Sequence, residues 1–271
     1  MRLLLPESRA EALAMLAQTP DAVPVAGGTD VLVHWPTRVA EHDRAYLDLS
    51  PLGDLKGVRW EDGELVLGGL ATYWDVIRDP RAARELPLLV HAARQVGSVQ
   101  IQARGTWAGN VANASPAADG VPALMAYDAV VVLESVRGRV EVPLADFYTG
   151  YKQMRRAPDE LVVAIRVPRR AYALQRFVKV GSRRAQAIAK VGVALTRSAA
   201  GWRVVAASVA PTIRRCPALE RLFADGASLR SPDDLFPAID QDVTPIDDIR
   251  STAVYRRQVL ARVLYDAVHA S

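Results

Sequence analysis

Residues 105–129 read GTWAGNVANASPAADGVPALMAYDA, and residues 26–30 read AGGTD. Both stretches combine glycine with short polar side chains. Glycine lets a backbone approach a ligand with no β-carbon in the way, and successive N–H groups then form an anion-binding nest suited to a diphosphate. A Gly-Gly turn by itself is an ordinary loop in most proteins. The second stretch says more, because Thr106, Gly109, Asn110, Asn113, Ser115 and Asp119 fall within fifteen residues, a density of small donors and acceptors that a plain surface loop does not need.

The signals around these stretches alternate between helix and strand. Ser8 and Glu11 make a capping-box pattern, and Ala12, Leu13, Leu16 and Ala17 follow at helical spacing, which predicts a helix to about Gln18. Val23, Val25, the AGGTD turn, the apolar run Val31–Val33 and Tyr46–Leu49 then read as strand, glycine loop, short helix, strand. Gly63–Gly69 reads as glycine-punctuated strand, followed by a helix that Thr72 and Asp75 cap and another over Leu86–Val96. Val130–Leu133 and Val140–Val142 face each other across Arg137-Gly138 as a hairpin, and Asp159–Val167 is a further strand stopped by Pro168. Beyond Arg169–Arg170 the character changes. Phe177–Val180, Val191–Thr196 and Trp202–Ala207 predict a small antiparallel sheet. Ser231–Asp248, rich in Asp and Pro, reads as an exposed connection, and the last helix runs from Thr252 to about His269.

Composition excludes several functions. The chain has 271 residues, half of them hydrophobic, enough for two modest cores. No apolar run approaches the roughly 20 residues of a membrane span, and Pro6, Glu7, Arg9 and Glu11 interrupt the N-terminus before any signal-type core develops, so a cytoplasmic location is expected. Cys216 is the only cysteine, so this chain alone cannot hold an iron–sulfur cluster, which wants about four thiolates. The histidines, 34, 42, 91 and 269, lack metal-ligand spacing. A net charge of +4 invites a nucleic-acid partner, but thirty of the thirty-four cations are Arg spread along the chain without interleaved aromatics, and no nucleic-acid binding is expected. There is no G-x-G-x-x-G, no Gly-Lys phosphate loop and no nucleophile elbow, which argues against a self-contained Rossmann enzyme, kinase or serine hydrolase.

Ala26-Gly-Gly-Thr-Asp30, Gly105-Thr-Trp-Ala-Gly-Asn110, Ala114-Ser-Pro116 and Asp119, in that order, resemble the FAD-binding medium subunits of molybdenum hydroxylases, the xanthine dehydrogenase and carbon monoxide dehydrogenase group. The likeness continues through Pro122-Ala-Leu124, Asp128-Ala129, Leu144-x-Asp146-Phe147, Glu160-Leu161 and Arg250-Ser-x-Ala-x-Tyr-Arg256. It implies an α+β fold: a two-lobed FAD-binding domain of the PCMH type over residues 1–170, with lobes at about 1–55 and 56–170, then a C-terminal domain over 171–271 with a three-stranded antiparallel sheet and helices. It also implies that Val25, Ala26, Gly27, Gly28, Thr29, Asp30 and Val31, together with Thr106, Trp107, Ala108, Gly109 and Asn110, close over the FAD diphosphate and ribityl chain. Asp119 inherits a contact to cofactor hydroxyls, which a carboxylate suits as a double acceptor. Arg183-Arg184-x-x-x-Ile188-Ala-Lys190-Val191 resembles a segment whose Lys lies by the flavin in xanthine-dehydrogenase-type members, so Lys190 is a candidate cation at the pyrimidine edge, and the match leans toward purines or other N-heterocycles. Many relatives have Ile-Gly where this chain has Trp107-Ala108, which leaves Trp107 either against the flavin or packed under the loop.

The function implied is electron relay with no catalytic residue on this chain: 2Fe–2S clusters in a small subunit and molybdopterin in a large subunit pass electrons to FAD here, in a dimer of heterotrimers. A free-standing flavin oxidase would need its own substrate pocket and a base near the flavin, and no such His or paired carboxylates are evident. A scaffold subunit without flavin would have no use for the glycine stretches.

Overall fold

The computed structural model describes residues 2–33 and 44–269; His34 and His42 lie outside them. The first lobe holds β1 (Arg2–Leu4), α1 (Arg9–Gln18), β2 (Val23–Val25) and β3 (Ala45–Asp48), in a parallel sheet of order β1-β3-β2. Ser8 caps α1 as its spacing predicts, accepting the Glu11 N–H at 3.2 Å. Val31–Val33 forms a single 3-10 turn after the glycine loop.

The second lobe comprises β4 (Val58–Glu61), β5 (Glu64–Gly68), α2 (Tyr73–Ile77), α3 (Pro80–Glu85), α4 (Pro87–Arg94), α5 (Val99–Arg104), α6 (Trp107–Asn113), α7 (Gly120–Ala126), β6 (Val130–Ser135), β7 (Gly138–Pro143), the short hairpin β8 (Tyr148–Gly150) and β9 (Gln153–Met154), and β10 (Leu161–Pro168). Its antiparallel sheet runs β4-β5-β10-β6-β7. Strand periodicity sends alternate residues to opposite faces. Leu65, Leu67, Val131, Leu133, Ile165 and Val167 therefore join the helices of this lobe, while Val66, Val132 and Ala164 pack on α1 and the first lobe.

The C-terminal region contains β11 (Tyr172–Val180), β12 (Val191–Ser198), β13 (Gly201–Ala207), β14 (Arg214–Arg215), α8 (Pro217–Ala224), α9 (Phe236–Asp242) and α10 (Ala253–His269). Its sheet repeats the two-faced arrangement. Ala194, Val205 and Ala207 close the core of the second lobe, and Val193, Leu195, Val204 and Ala206 meet the C-terminal helices.

Two expectations need correction. The three predicted strands are present, but a fourth, β14, pairs with β13 through Val205 and Ala206. Two consecutive arginines carry no strand pattern; β14 is held because Arg215 binds Glu220, whose Oε1 also accepts the Val204 N–H at 3.0 Å. Ser231–Asp248 is an exposed connection only over its last residues, from Thr244 to Asp248. Its Asp and Pro residues start helical turns, where side-chain acceptors and a pre-set φ are favoured: Pro232–Leu235 is a capped 3-10 turn leading into α9, with Leu235 and Ile239 fully buried. Buried Asp242 accepts the N–H groups of Ala218 and Leu219 at 3.0 and 2.9 Å, serving the first turn of α8 from across the interface.

Candidate cofactor site

The two glycine stretches are adjacent in space. A Cβ on Gly27 would lie 1.8 Å from the Arg104 carbonyl oxygen, so the first loop and the end of α5 touch backbone to backbone only because residue 27 has no side chain. Gly28 has φ +71, a conformation that glycine adopts at little cost. Side chains complete the contact. Asn113 donates to Asp30 Oδ1 at 2.8 Å, and Lys152, in the turn between β8 and β9, donates to Asn113 Oδ1 at 2.8 Å.

The second stretch is a capped helix start, and this assigns its residues to different tasks. Thr106 is the N-cap of α6; its hydroxyl accepts the Gly109 N–H at 3.0 Å. Trp107 faces inward. It is fully buried, its ring centroid lies 4.9 Å from that of Tyr73, and its backbone N–H donates to Ala71 O at 3.0 Å. Of the two placements left open for Trp107, the structure shows packing under the loop. Ala108 is buried beside it, so the side chains of both residues serve the core. Asn110 and Asn113 emerge from the other side of α6, and Ala114, with φ +50, ends the helix and turns the chain into Ser115–Asp119.

Those residues line an open cavity of about 510 Å³. Opposite them stand Val96–Ser98 and Ile101, the hairpin residues Tyr151 and Lys152, the loop Gln186–Ile188, and Arg250. The volume lies within the range of small-molecule and cofactor sites. On the wall, Asn110 Oδ1 is buried and has no hydrogen-bond partner among the described residues. Such an acceptor is costly to leave unpaired, and a ligand N–H or O–H would satisfy it.

Asp119 forms a buried ion pair at this wall. Lys179 Nζ donates to Asp119 Oδ2 at 2.7 Å and to Gln95 O at 2.9 Å, with the two side chains only 7% and 14% exposed. Burial pushes the Asp119 carboxyl up to about 6, and the Lys179 charge and hydrogen bond hold it from rising further. Lys190 is elsewhere. Its ammonium lies over the Tyr255 ring, 5.4 Å from the centroid, and it does not line the cavity. Lys152 and Arg250 are the cations of the lining, while Lys179, on β11, reaches the wall through its bond to Asp119, a pairing that no motif in the sequence singles out. The signal was available: period-two alternation puts Lys179 on the same face as Phe177, and that face meets the second lobe.

Residues 1–170 match the family described as the FAD binding domain in molybdopterin dehydrogenase, and residues 176–271 match the CO dehydrogenase flavoprotein C-terminal domain. The chain belongs to this flavoprotein family. Among its relatives in the family, the carbon monoxide dehydrogenase medium chain of Afipia carboxidovorans is 32% identical over 97% of this chain and 93% of that one. A xanthine dehydrogenase FAD-binding subunit from Escherichia coli O157:H7 is 29% identical over 97% and 94%. The solved carbon monoxide dehydrogenase of Hydrogenophaga pseudoflava, in a form lacking the Mo-pyranopterin moiety of the molybdenum cofactor, aligns with a TM-score of 0.90 at 30% identity, covering 100% of this chain and 96% of that chain. The α+β class and the FAD-binding assignment are thus borne out. Flavoproteins of complexes named for xanthine and for carbon monoxide are about equally similar, so their likeness to this chain does not separate one substrate from the other.

The residues present fit an FAD. The paired glycine segments expose backbone, Asn110 offers an unsatisfied acceptor, and the ion pair places one charge of each sign at the wall.

Proposed function

We propose that this chain is the FAD-binding electron-transfer subunit of a molybdenum hydroxylase complex, taking electrons from 2Fe–2S clusters in a small subunit, which draw them from molybdopterin in a large subunit, and passing them to an external acceptor. The complex is a dimer of heterotrimers. The observation that carries the reading is the locking of two glycine segments, far apart in sequence, against one another beside a cavity walled by Asn110 and the Asp119–Lys179 pair. The bound FAD would supply the two-electron chemistry. The chain's residues would bind and orient it: Val25–Val31 with Thr106, Gly109 and Asn110 at the diphosphate and ribityl chain, and Asp119 at hydroxyl groups. Lys179 takes the role expected of Lys190. Its charge favours reduced flavin, and Asp119 tempers that charge.

Acid denaturation of the purified protein tests this directly. The expected result is one FAD released per chain, because Cys216 is buried in the C-terminal core and, among the described residues, no His or Cys lines the cavity as an attachment point. FMN in place of FAD, or flavin that stays with the polypeptide, would contradict it.

A further inference from the structure

β13 ends at Ala207, and the next residue, Ser208, joins segments that form separate walls of the cavity. Its N–H donates to Pro116 O at 2.8 Å, and its hydroxyl donates to Ala189 O at 3.0 Å. Its own carbonyl accepts from Arg256 Nη1. Arg256 Nη2 bonds Asp248 Oδ1 at 2.6 Å, and that oxygen also accepts the Arg250 N–H at 2.8 Å. Pro116 lies within the Ser115–Asp119 wall, Ala189 directly follows the Gln186–Ile188 wall, and Arg250 is itself a lining residue. Ser208 and Arg256 are both buried, while the loop Ser182–Gln186 is exposed and without helix or strand pairing.

Ser208 has φ +65, a left-handed conformation in which glycine is the inexpensive choice. What serine adds is the hydroxyl. A non-glycine residue persists there only where its surroundings over-determine it, and such positions cluster at ligand clamps. We propose that Ser208 is a positioning residue for the cofactor pocket: its hydroxyl holds the Ala189 carbonyl, and so keeps the Gln186–Ile188 wall in register with the Ser115–Asp119 wall. Arg256 braces it from behind by fixing the Ser208 carbonyl and, through Asp248, Arg250. The proposal rests on the reading of this cavity as the FAD site.

Two substitutions separate positioning from bulk stability. Ser208→Ala removes the hydroxyl and keeps the left-handed strain; Ser208→Gly removes the hydroxyl and relieves it. Both keep the backbone bonds to Pro116 and Arg256. FAD affinity is measured on full-length chain by flavin fluorescence quenching, alongside the melting temperature of the FAD-free protein. A lost hydrogen bond of ordinary strength corresponds to a roughly five- to tenfold weaker Kd. We expect that weakening in both variants, although Ser208→Gly melts higher than Ser208→Ala. Wild-type affinity in Ser208→Gly, or a Kd that simply follows melting temperature across the pair, would overturn the proposal. If Ser208→Ala does not fold, Ser208→Gly decides alone. Wild-type protein that binds no FAD would instead remove the flavin reading itself, whereas tight wild-type binding with an unaffected Ser208→Gly removes only the role of Ser208.

Discussion

The two glycine segments look alike in sequence and are used in opposite ways. At Gly27 the missing side chain makes room for another piece of backbone, the Arg104 carbonyl, and at Gly28 the backbone itself is left-handed. At Gly109 neither holds. That residue sits in the first turn of a helix with no positive φ, and an added Cβ would meet only the Thr106 hydroxyl, at 2.8 Å. Glycine in a cofactor motif can therefore serve the approach of two loops, a special turn, or merely the crowding of a cap, and only the last of these tolerates a methyl group at little cost.

The sharpest way to break this contrast is Gly27→Ala. Its collision is with backbone, which cannot rotate aside, so the two loops must separate at an overpacking cost of about 3 kcal/mol. We expect the melting temperature to fall by roughly 6–12 °C, with FAD binding lost, as read by calorimetry and flavin absorbance. A variant that keeps its stability and its flavin would show that the loops do not need this contact.

Lys179→Met probes the pair at the same wall. Removing one partner of a buried ion pair costs about 3–5 kcal/mol, because the other charge is left without compensation. Protonation of Asp119 offers an escape, so the penalty should be full at pH 8 and shrink toward pH 5. In the unaltered protein the carboxyl stays protonated to about 6 when folded, above its ordinary value near 3.8. As pH rises through that window the unfolded chain loses its proton first, so this group's contribution to stability falls between about pH 4 and 6 and is level above. Asp119→Asn should flatten that part of the stability profile in urea titrations. A profile that the substitution leaves unchanged would remove Asp119 as the titrating group.

The smallest effect is expected at Gly109→Ala. Displacing the Thr106 cap costs about 1 kcal/mol, and replacing glycine by alanine inside a helix returns a similar amount. Melting temperature should move by no more than about 3 °C, a shift of under 1 kcal/mol, with FAD still bound. Complete loss of flavin would mean that the diphosphate leaves no room for a methyl group at residue 109.

Much of this arrangement was legible in the sequence because it depends on local patterns. The Ser8 and Thr72 caps, the hairpin across Arg137-Gly138 and the strands around Val191–Ala207 all rest on spacing within a few residues, and all are present. What was missed depends on distant partners. β14 exists because Glu220 draws Arg215 and the Val204 N–H together, and α9 is buried because Asp242 serves α8. The site shows the same division. Asn110 and Asp119, named from their motif, both line the cavity, but the pairing of Lys179 with Asp119 turns on which face of β11 meets that wall, a question of tertiary packing. Trp107, a large aromatic in a ligand-binding motif, had two readings until its burial against Tyr73 separated them.

As proposed here, FAD in this chain is a relay fed by partner clusters and not a site of substrate oxidation. Anaerobic spectroscopy of the FAD-loaded chain by itself tests this most directly. A chemical reductant should bleach the flavin at once, while purines, aldehydes and N-heterocycles should leave the spectrum unchanged until the iron–sulfur and molybdopterin subunits are added. Rapid bleaching by any such substrate in this chain alone would contradict the relay and point to a free-standing flavin oxidase.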